Sequence, residues 1–204
     1  MNYQRIDNFL PDDLFEDFQQ FMLYGQGKGE FVGMPWFYRN AITDRHDTEG
    51  YLFGNDIYNR GDIPDLKLFT TLGIPIISRL PMDSLIRIKV NCHPRQTLRG
   101  SENYPMSSFH VDRLEPHTVA ILSMNTCNGY TELEDGTKLE SIANACVVFS
   151  GDIKHRSVGQ TDENIRVNFN LNFIEPSRDD YQPDFDKFNP RDVDKEWYRE
   201  KRSK

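Results

Sequence analysis

Two histidines, an aspartate and an arginine have the types and order of a metal site beside an anion receptor. The segment His110-Val111-Asp112 is followed by His155 forty-five residues later. Two imidazoles and one carboxylate make up the facial triad that holds non-haem Fe(II) and leaves coordination positions open. In an extended strand residues i and i+2 share a face, so we expect His110 and Asp112 to bind one metal ion while Val111 turns outward. His155 must then come from a distant strand that folds back beside the first.

Arg166 lies eleven residues after His155 and begins the alternating run Arg-Val-Asn-Phe-Asn-Leu-Asn-Phe. A guanidinium facing the same cavity would suit a carboxylate, which arginine binds through two parallel hydrogen bonds. A metal with open positions and a buried carboxylate receptor together predict an organic-acid cosubstrate. Any one of these residues alone would more often be structural, so the hypothesis depends on the complete ordered set.

The ordered set His-x-Asp, His and Arg resembles the signature of the Fe(II)/2-oxoglutarate-dependent oxygenases. The segment 128–137, Asn-Gly-Tyr-Thr-Glu-Leu-Glu-Asp-Gly-Thr, is similar to the prolyl-4-hydroxylase-like branch, as are Asn-Ala-Cys-Val-Val-Phe at 144–149 and Ile-Lys-His at 153–155. More narrowly, they look like the small single-domain members carried by tailed bacteriophages. The resemblance is dense over 85–173, weaker over the first eighty residues and absent from the last thirty.

The resemblance implies a mainly β fold, a double-stranded β-helix (a jelly-roll or cupin-like barrel) with supporting N-terminal α-helices. It implies Fe(II), 2-oxoglutarate and dioxygen as cofactor and cosubstrates, with ascorbate as an optional reductant. The metal ligands it implies are His110, Asp112 and His155, and Arg166 would pair with the far carboxylate of 2-oxoglutarate. The activity would couple decarboxylation of 2-oxoglutarate to succinate with hydroxylation of a C–H bond.

Secondary cosubstrate contacts follow from a similarity to the AlkB-type nucleic-acid demethylases. Their Asn-x-Tyr and Arg-x-Asn elements contain two asparagines that hydrogen-bond the cosubstrate, and the matching residues here are Asn91 and Asn168. His93 occupies the position of the tyrosine. This chain has Asn172 where those demethylases carry a second arginine. In the prolyl-hydroxylase branch a tyrosine often reaches the far carboxylate, and Ser123 occupies that place here. For Asn91, a hydrogen bond to the local backbone is an equal alternative to a cosubstrate contact. If Arg166 does not bind the far carboxylate of 2-oxoglutarate, Lys89 and Arg87 are the next candidate cations.

Three hypotheses of function remain open. The first is a hydroxylase of a protein or peptide side chain, with proline as the candidate residue. The second keeps the cofactors and acts on a modified nucleobase or a small metabolite. The third is a catalytically silent β-barrel interaction module, against which the intact triad and Arg166 argue.

Composition narrows the class of protein. With 204 residues, 37% hydrophobic and 12% aromatic, the chain suits one domain with a sizeable core. We expect 1–84 to support an oxygenase core at 85–175 and 176–204 to be a polar tail. The net charge of -8 argues against non-specific nucleic-acid binding. Basic residues near the motif could still form a local phosphate-binding rim: Arg95, Arg99 and Arg113.

Other features of the sequence concern location and the substrate. No apolar run long enough for a membrane span and no secretory leader is seen. Three widely spaced cysteines predict reduced thiols and a cytoplasmic protein, in the host cytoplasm if phage-encoded. The segment 94–105 is where we expect substrate to be gripped, and the oligomeric state is left open. His46 and His117 are interpreted as structural.

Hydrophobic periodicity predicts the elements that position the site. An amphipathic helix is expected over 12–22, followed by a break over 24–29. A strand with an aromatic edge near the site is expected over 31–43, and a second helix over 63–80, interrupted at Gly73 and Pro75. Alternation over 85–91 and 166–173 predicts two strands whose apolar faces pack on the helices and whose polar faces line the cavity. Further strands are expected over 119–125 and 143–149, with a hairpin turn at 134–137 and a charged helix or frayed tail over 192–204.

Overall fold

Two antiparallel sheets and a layer of helices make up the part of the chain that the computed structural model describes, residues 3–24, 33–42, 50–96 and 103–176. The helical elements are α1 (Asp12–Leu23), α2 (Leu66–Leu68), a π-helical turn (Phe69–Gly73) and α3 (Ile74–Ile77). The strands are β1 (Tyr3–Ile6), β2 (Phe37–Arg39), β3 (Leu52–Asn59), β4 (Ser84–Pro94), β5 (Thr118–Ser123), β6 (Cys127–Leu133), β7 (Lys138–Ser141), β8 (Cys146–Ser150), β9 (His155–Val158) and β10 (Ile165–Ile174).

The large sheet has seven strands in the order β1-β8-β5-β10-β4-β3-β2, and the small sheet has three in the order β7-β6-β9. One apolar core lies between the large sheet and the helices, and a smaller one involves residues of β5, β6, β7 and β8. Strand β10 is central, because it pairs with β4 on one side and β5 on the other. The predicted mainly β, jelly-roll fold is confirmed.

Helix α1 forms where the periodicity predicts it and ends at Leu23. Pro11 precedes the helix, and Asp12 and Asp13 place negative charge in its first turn, which favours the helix dipole. The helix buries one face against the large sheet, where the Phe18 ring lies 6.2 Å from the Phe169 ring of β10. Burial of several large apolar side chains therefore attaches the helix to the outer face of the strand that carries Arg166.

The second helical segment differs from the prediction. Gly73 and Pro75 do not break it, because Gly73 keeps a helical backbone (φ -72°, ψ -53°) and leads directly into α3. The interruption is instead the π-helical turn that precedes Pro75. Proline lacks an N–H and its ring crowds the preceding turn of an α-helix. A wider turn accommodates that ring, and Gly73 lets the turn pack closely, since an added Cβ would lie 3.1 Å from the Phe69 side chain.

Strands β4 and β10 form over the two alternating segments, and their alternation separates core from cavity. Ile88 and Val90 of β4 are fully buried in the helix-side core, as is Phe169 of β10. The polar residues between them line the space that faces the small sheet. The division of faces inferred from the sequence is therefore correct, and the turn at 134–137 does join β6 to β7 as predicted.

The remaining expectations are met in part. The strand expected over 31–43 is described over residues 33–42, where it is present only as β2, an edge strand, and residues 41 and 42 also line the cavity. The three cysteines are buried free thiols. None of the described helices has the length and apolar character needed to cross a bilayer. The expected break at 25–29, His46, Arg99 and the tail from 177 onward lie outside the described residues.

Candidate functional site

A cavity of about 570 Å³ lies between the two sheets. Strands β2, β3, β4, β5 and β10 line it from the large sheet and β6 and β9 line it from the small sheet, together with residues 110–113. Its volume is in the range of about 300–1,000 Å³ that is usual for small-molecule sites. All six residues that the sequence nominated lie on its wall: Asn91, His110, Asp112, His155, Arg166 and Asn168.

The structure brings His110, Asp112 and His155 together. Each offers a ligand atom, and these three atoms lie within 4.8 Å of one another. The two histidines are joined by a pair of backbone hydrogen bonds, from His110 N to His155 O (3.0 Å) and from His155 N to His110 O (2.9 Å). Their ring centroids lie 4.7 Å apart. The donor set, two imidazoles and one carboxylate, fits a divalent transition-metal ion.

Both imidazoles are oriented by backbone carbonyls two residues before them. His110 Nδ1 lies 3.0 Å from Ser108 O, and His155 Nδ1 lies 3.2 Å from Ile153 O. A proton on Nδ1 satisfies these contacts and leaves the Nε2 lone pair for a metal, which is how metal-binding histidines are usually held. Burial lowers the pKa of His155, which favours the neutral form that a metal requires.

Asp112 is fixed by two amides from β10. Its Oδ2 accepts hydrogen bonds from Asn170 Nδ2 (3.1 Å) and Asn172 Nδ2 (2.9 Å), while its Oδ1 lies 3.2 Å from Arg87 Nη2. Burial alone would raise the pKa of this carboxyl, but Arg87, His155 and the two amides outweigh burial and hold the pKa well below its usual value. Asp112 is therefore ionised, with Oδ1 on the side of the histidines, 3.9 Å from His110 Nε2.

The path of the chain around Asp112 differs from the prediction. The sequence predicted an extended strand over 110–112, but only His110 makes a β-bridge and the chain bends at Asp112. Val111, expected to turn outward, also lines the cavity. At this bend Asn170 and Asn172 hold the side chain of Asp112 by donating hydrogen bonds to its carboxylate. Neither asparagine was assigned this role from the sequence, although the alternation of β10 places both on the cavity face.

Arg166 is a buried cation with no acidic partner among the described residues. It is 1% exposed, and its Nη1 and Nη2 contact only the hydroxyls of Ser141 (3.5 Å) and Ser157, while Nε has no hydrogen-bond partner. Burial lowers its pKa to about 10. A guanidinium removed from water without a counter-charge is costly, so this group fits an anionic ligand entering the cavity. The sequence did not identify Ser157, two residues after His155 on the same strand.

The two candidate amides lie side by side between Arg166 and the rest of the cavity. Asn91 Nδ2 donates to Asn168 Oδ1 at 3.2 Å, and Asn91 Oδ1 has no hydrogen-bond partner in the described part of the chain. His93 is buried opposite Arg166, where burial holds its pKa well below the usual value. Ser123 is buried opposite Asn168 but is not part of the cavity wall, where Ile121 appears instead. Asn91 and Asn168 can therefore offer polar atoms to a ligand held by Arg166.

Comparisons with known proteins agree with this geometry at the level of the fold. No protein-family profile matches the chain, and no curated protein matches its sequence. Among solved structures, a Pseudomonas putida prolyl-4-hydroxylase has a TM-score of 0.51 and 16% identity, over 86% of this chain and 93% of its own. A Trichoplax adhaerens prolyl hydroxylase gives 0.51 and 17%, over 84% and 83%. The α-ketoglutarate-dependent epimerase SnoN of nogalamycin biosynthesis gives 0.53 and 11%, over 85% and 78%.

These likenesses extend over most of each chain, so they concern the whole fold rather than a shared fragment. At such low identities they establish architecture and leave the reaction to be argued from this chain's own residues. The chain therefore has the fold of the prolyl-4-hydroxylase-like 2-oxoglutarate–Fe(II) oxygenases.

Proposed function

We propose that this protein is an Fe(II)/2-oxoglutarate-dependent oxygenase that hydroxylates a C–H bond in a protein or peptide side chain, with proline the first candidate. One observation carries the proposal. A His-Asp-His cluster with its ligand atoms within 4.8 Å shares a cavity with a buried arginine for which the described residues offer no acidic partner. A structural ion pair or an ordinary polar core would not leave both a metal-ligand set and an uncompensated cation facing one space.

Each residue has a defined task under this proposal. His110, Asp112 and His155 would hold the iron through two Nε2 atoms and Asp112 Oδ1. Arg166 would bind the far carboxylate of 2-oxoglutarate, and Asn91 and Asn168 would donate to its oxygens. Bound together, iron and 2-oxoglutarate supply oxidative decarboxylation with dioxygen, which yields succinate, carbon dioxide and the oxidant for the C–H bond. The two sheets would shield this space, and Asn170 and Asn172 keep Asp112 aligned.

A peptide substrate is supported by charge and by one structural neighbour. The net charge of -8 disfavours a polynucleotide, whose binding depends on neutralising phosphates. The Trichoplax adhaerens prolyl hydroxylase was solved with a peptide fragment of hypoxia-inducible factor. The segment expected to grip substrate is described only at 94–96 and 103–105, where Arg95 pairs with Asn164.

The test is 2-oxoglutarate turnover, measured as succinate release with Fe(II) and ascorbate. We expect release to need the metal, to stop in Asp112→Ala and to persist in Asp83→Ala, which removes an exposed carboxylate outside the cavity. Proline-containing peptides should stimulate release and gain one oxygen by mass spectrometry. Turnover that survives chelation or Asp112→Ala would exclude the metal assignment. Stimulation by oligonucleotides instead, with a steep salt dependence, would replace the peptide substrate with a nucleobase.

A further inference from the structure

The end of the cavity away from Arg166 carries a second set of cationic side chains. Alternation along β4 places Arg87 and Lys89 on the cavity wall, and Arg113 and Arg39 line the same end. Lys89 lies between Asp56 of β3 and residue 170 of β10, in the middle of the sheet. A chain of net charge -8 thus encloses a cavity with five cationic and two acidic residues on its described wall.

Both acidic residues of that wall are already engaged. Asp56 Oδ2 accepts from Arg39 Nη2 at 2.7 Å. Asp112 is held by two amides and by Arg87, and it is the carboxylate of the candidate metal cluster. Lys89 makes no ion pair and no hydrogen bond through its ammonium group with any described residue. Its positive charge is therefore left for a ligand.

The proposed cosubstrate does not account for this charge. Arg166 of β10 lies opposite His93 in the register of the two strands, and His93 lies four residues from Lys89 along β4. At a rise of about 3.3 Å per residue, Lys89 and His93 are roughly 13 Å apart along the strand. A five-carbon diacid bound to Arg166 and directed at the metal cluster therefore compensates the charge of Arg166 and leaves that of Lys89 uncompensated. The cavity volume, about 570 Å³, also leaves room for a second molecule.

Lys89 is costly to keep in this position. Burial is the main cause that lowers its pKa to about 8, and neighbouring Arg87 lowers it further. The amine still carries its proton at neutral pH, so the protein holds a largely buried ammonium beside a second cation. Arg87 Nε and Arg113 Nε are buried and have no hydrogen-bond partner among the residues that the structure describes. An anion placed between Lys89, Arg87 and Arg113 would compensate the positive charge of three side chains that line the cavity.

We propose that Lys89, Arg87 and Arg113 form an anion subsite for the substrate, so that the substrate carries a carboxylate or a phosphate close to the C–H bond that is oxidised. This inference rests on the proposed function, whose substrate class it narrows to acidic peptides. The subsite lies beside the metal cluster, because Arg87 contacts Asp112 directly. A substrate anchored there presents the neighbouring atoms of its chain to the cluster.

Binding of three synthetic peptides tests the subsite. They share one length and a central proline, and the neighbouring residue is glutamate, glutamine or phosphoserine. Titration calorimetry uses protein loaded with Mn(II) and saturated with 2-oxoglutarate, without oxygen. We expect the glutamate or the phosphoserine peptide to bind at least about tenfold more tightly than the glutamine peptide, a difference of about 1.4 kcal/mol. Whichever anionic peptide binds more tightly identifies the anion as carboxylate or phosphate.

Variants of Lys89 test whether the preference for anionic peptides arises in the cavity. Lys89→Met should remove it and Lys89→Arg should retain it, while Lys138→Met, a matched change of an exposed lysine on β7, should leave it intact. Equal binding of the three peptides, or no binding of any, would overturn the inference, as would a preference that survives Lys89→Met. A large loss of 2-oxoglutarate affinity in Lys89→Met would also overturn it, because the lysine would then serve the cosubstrate. Succinate release by the unmodified protein tests the proposed function separately from peptide charge.

Discussion

Replacing Arg166 with methionine tests the link between a buried charge and its proposed ligand. The guanidinium is 1% exposed, contacts only two serine hydroxyls and has no carboxylate partner among the described residues. Truncating one partner of a shielded charge pair typically costs about 2–5 kcal/mol. Taking about 3 kcal/mol, we expect the affinity for 2-oxoglutarate to fall roughly 100-fold. Mn(II) affinity should change little, because Arg166 does not contact the metal cluster.

Thermal unfolding of the Mn(II)-loaded protein measures this loss without turnover. At 2-oxoglutarate a hundred times the dissociation constant, ligand binding stabilises the unmodified protein by about 2.7 kcal/mol. For a chain of this length that corresponds to a Tm increase of about 5–10 °C. The same concentration only half-saturates Arg166→Met, so the expected increase is about 1 °C.

A matched control separates the binding role of Arg166 from its contribution to packing. Arg79 is another buried arginine, 5% exposed, that donates to Pro75 O and is not part of the cavity wall. Arg79→Met should unfold at a lower temperature yet keep the full increase with 2-oxoglutarate. An undiminished Tm increase with 2-oxoglutarate in Arg166→Met would refute the reasoning. Another cation would then have to bind the far carboxylate, and Lys89 would be tested first.

Three further changes follow from the geometry. Asn172→Leu removes one of the two amides that hold Asp112, and we expect Mn(II) affinity to fall about 10- to 100-fold; an unchanged titration would exclude this role. Lys89→Met should be more stable than the unmodified protein at pH 7 by up to about 3 kcal/mol, because the pKa of Lys89 is 10.5 in the unfolded chain and about 8 in the fold. Between pH 8 and 10.5 the unfolded chain binds more protons at Lys89 than the folded protein does. Denaturant titrations should therefore show the stability of the unmodified protein rising relative to that of the variant over this range. A stability difference that does not change with pH would contradict this. Gly151→Ala would place a methyl group 2.3 Å from His117 Nε2, so we expect a loss of about 1–3 kcal/mol by the same measurement, and unchanged stability would show that the imidazole moves aside.

Strands β4 and β10 could be predicted because each has one apolar and one polar face. Val90 and Phe169 reach the helix-side core, so their polar neighbours must face the cavity, and the positions of Asn91 and Arg166 follow from a period of two. The same reasoning failed at 110–112, because the path of an irregular loop depends on contacts made after the sheets have formed. Asp112 owes its position to Asn172, sixty residues away, and no local pattern indicates that contact.

The electrostatic character of the cavity was only partly visible in the sequence. Lys89 and Arg87 were named as reserve cations for the cosubstrate, but their separation from Arg166 depends on strand register. That register places Arg166 of β10 opposite His93 of β4 and Asn170 opposite Lys89, and no periodicity specifies it. The π-helical turn was missed for a similar reason, since glycine and proline indicate a break without specifying its form.

Strand β10 carries both ends of the proposed cosubstrate site. Arg166 lies at its start, and Asn170 and Asn172, which hold the metal-binding carboxylate, lie four and six residues further on. Because the strand is paired on both sides, one segment of backbone sets the spacing between Arg166 and the amides that hold the carboxylate. It is about 13–20 Å between the Cα atom of Arg166 and those of Asn170 and Asn172. Under the proposed function, β10 thus helps to set the distance between the cation that binds the far carboxylate and the metal site. A keto diacid with fewer or more methylene groups would then fit the distance between Arg166 and the metal ligands less well.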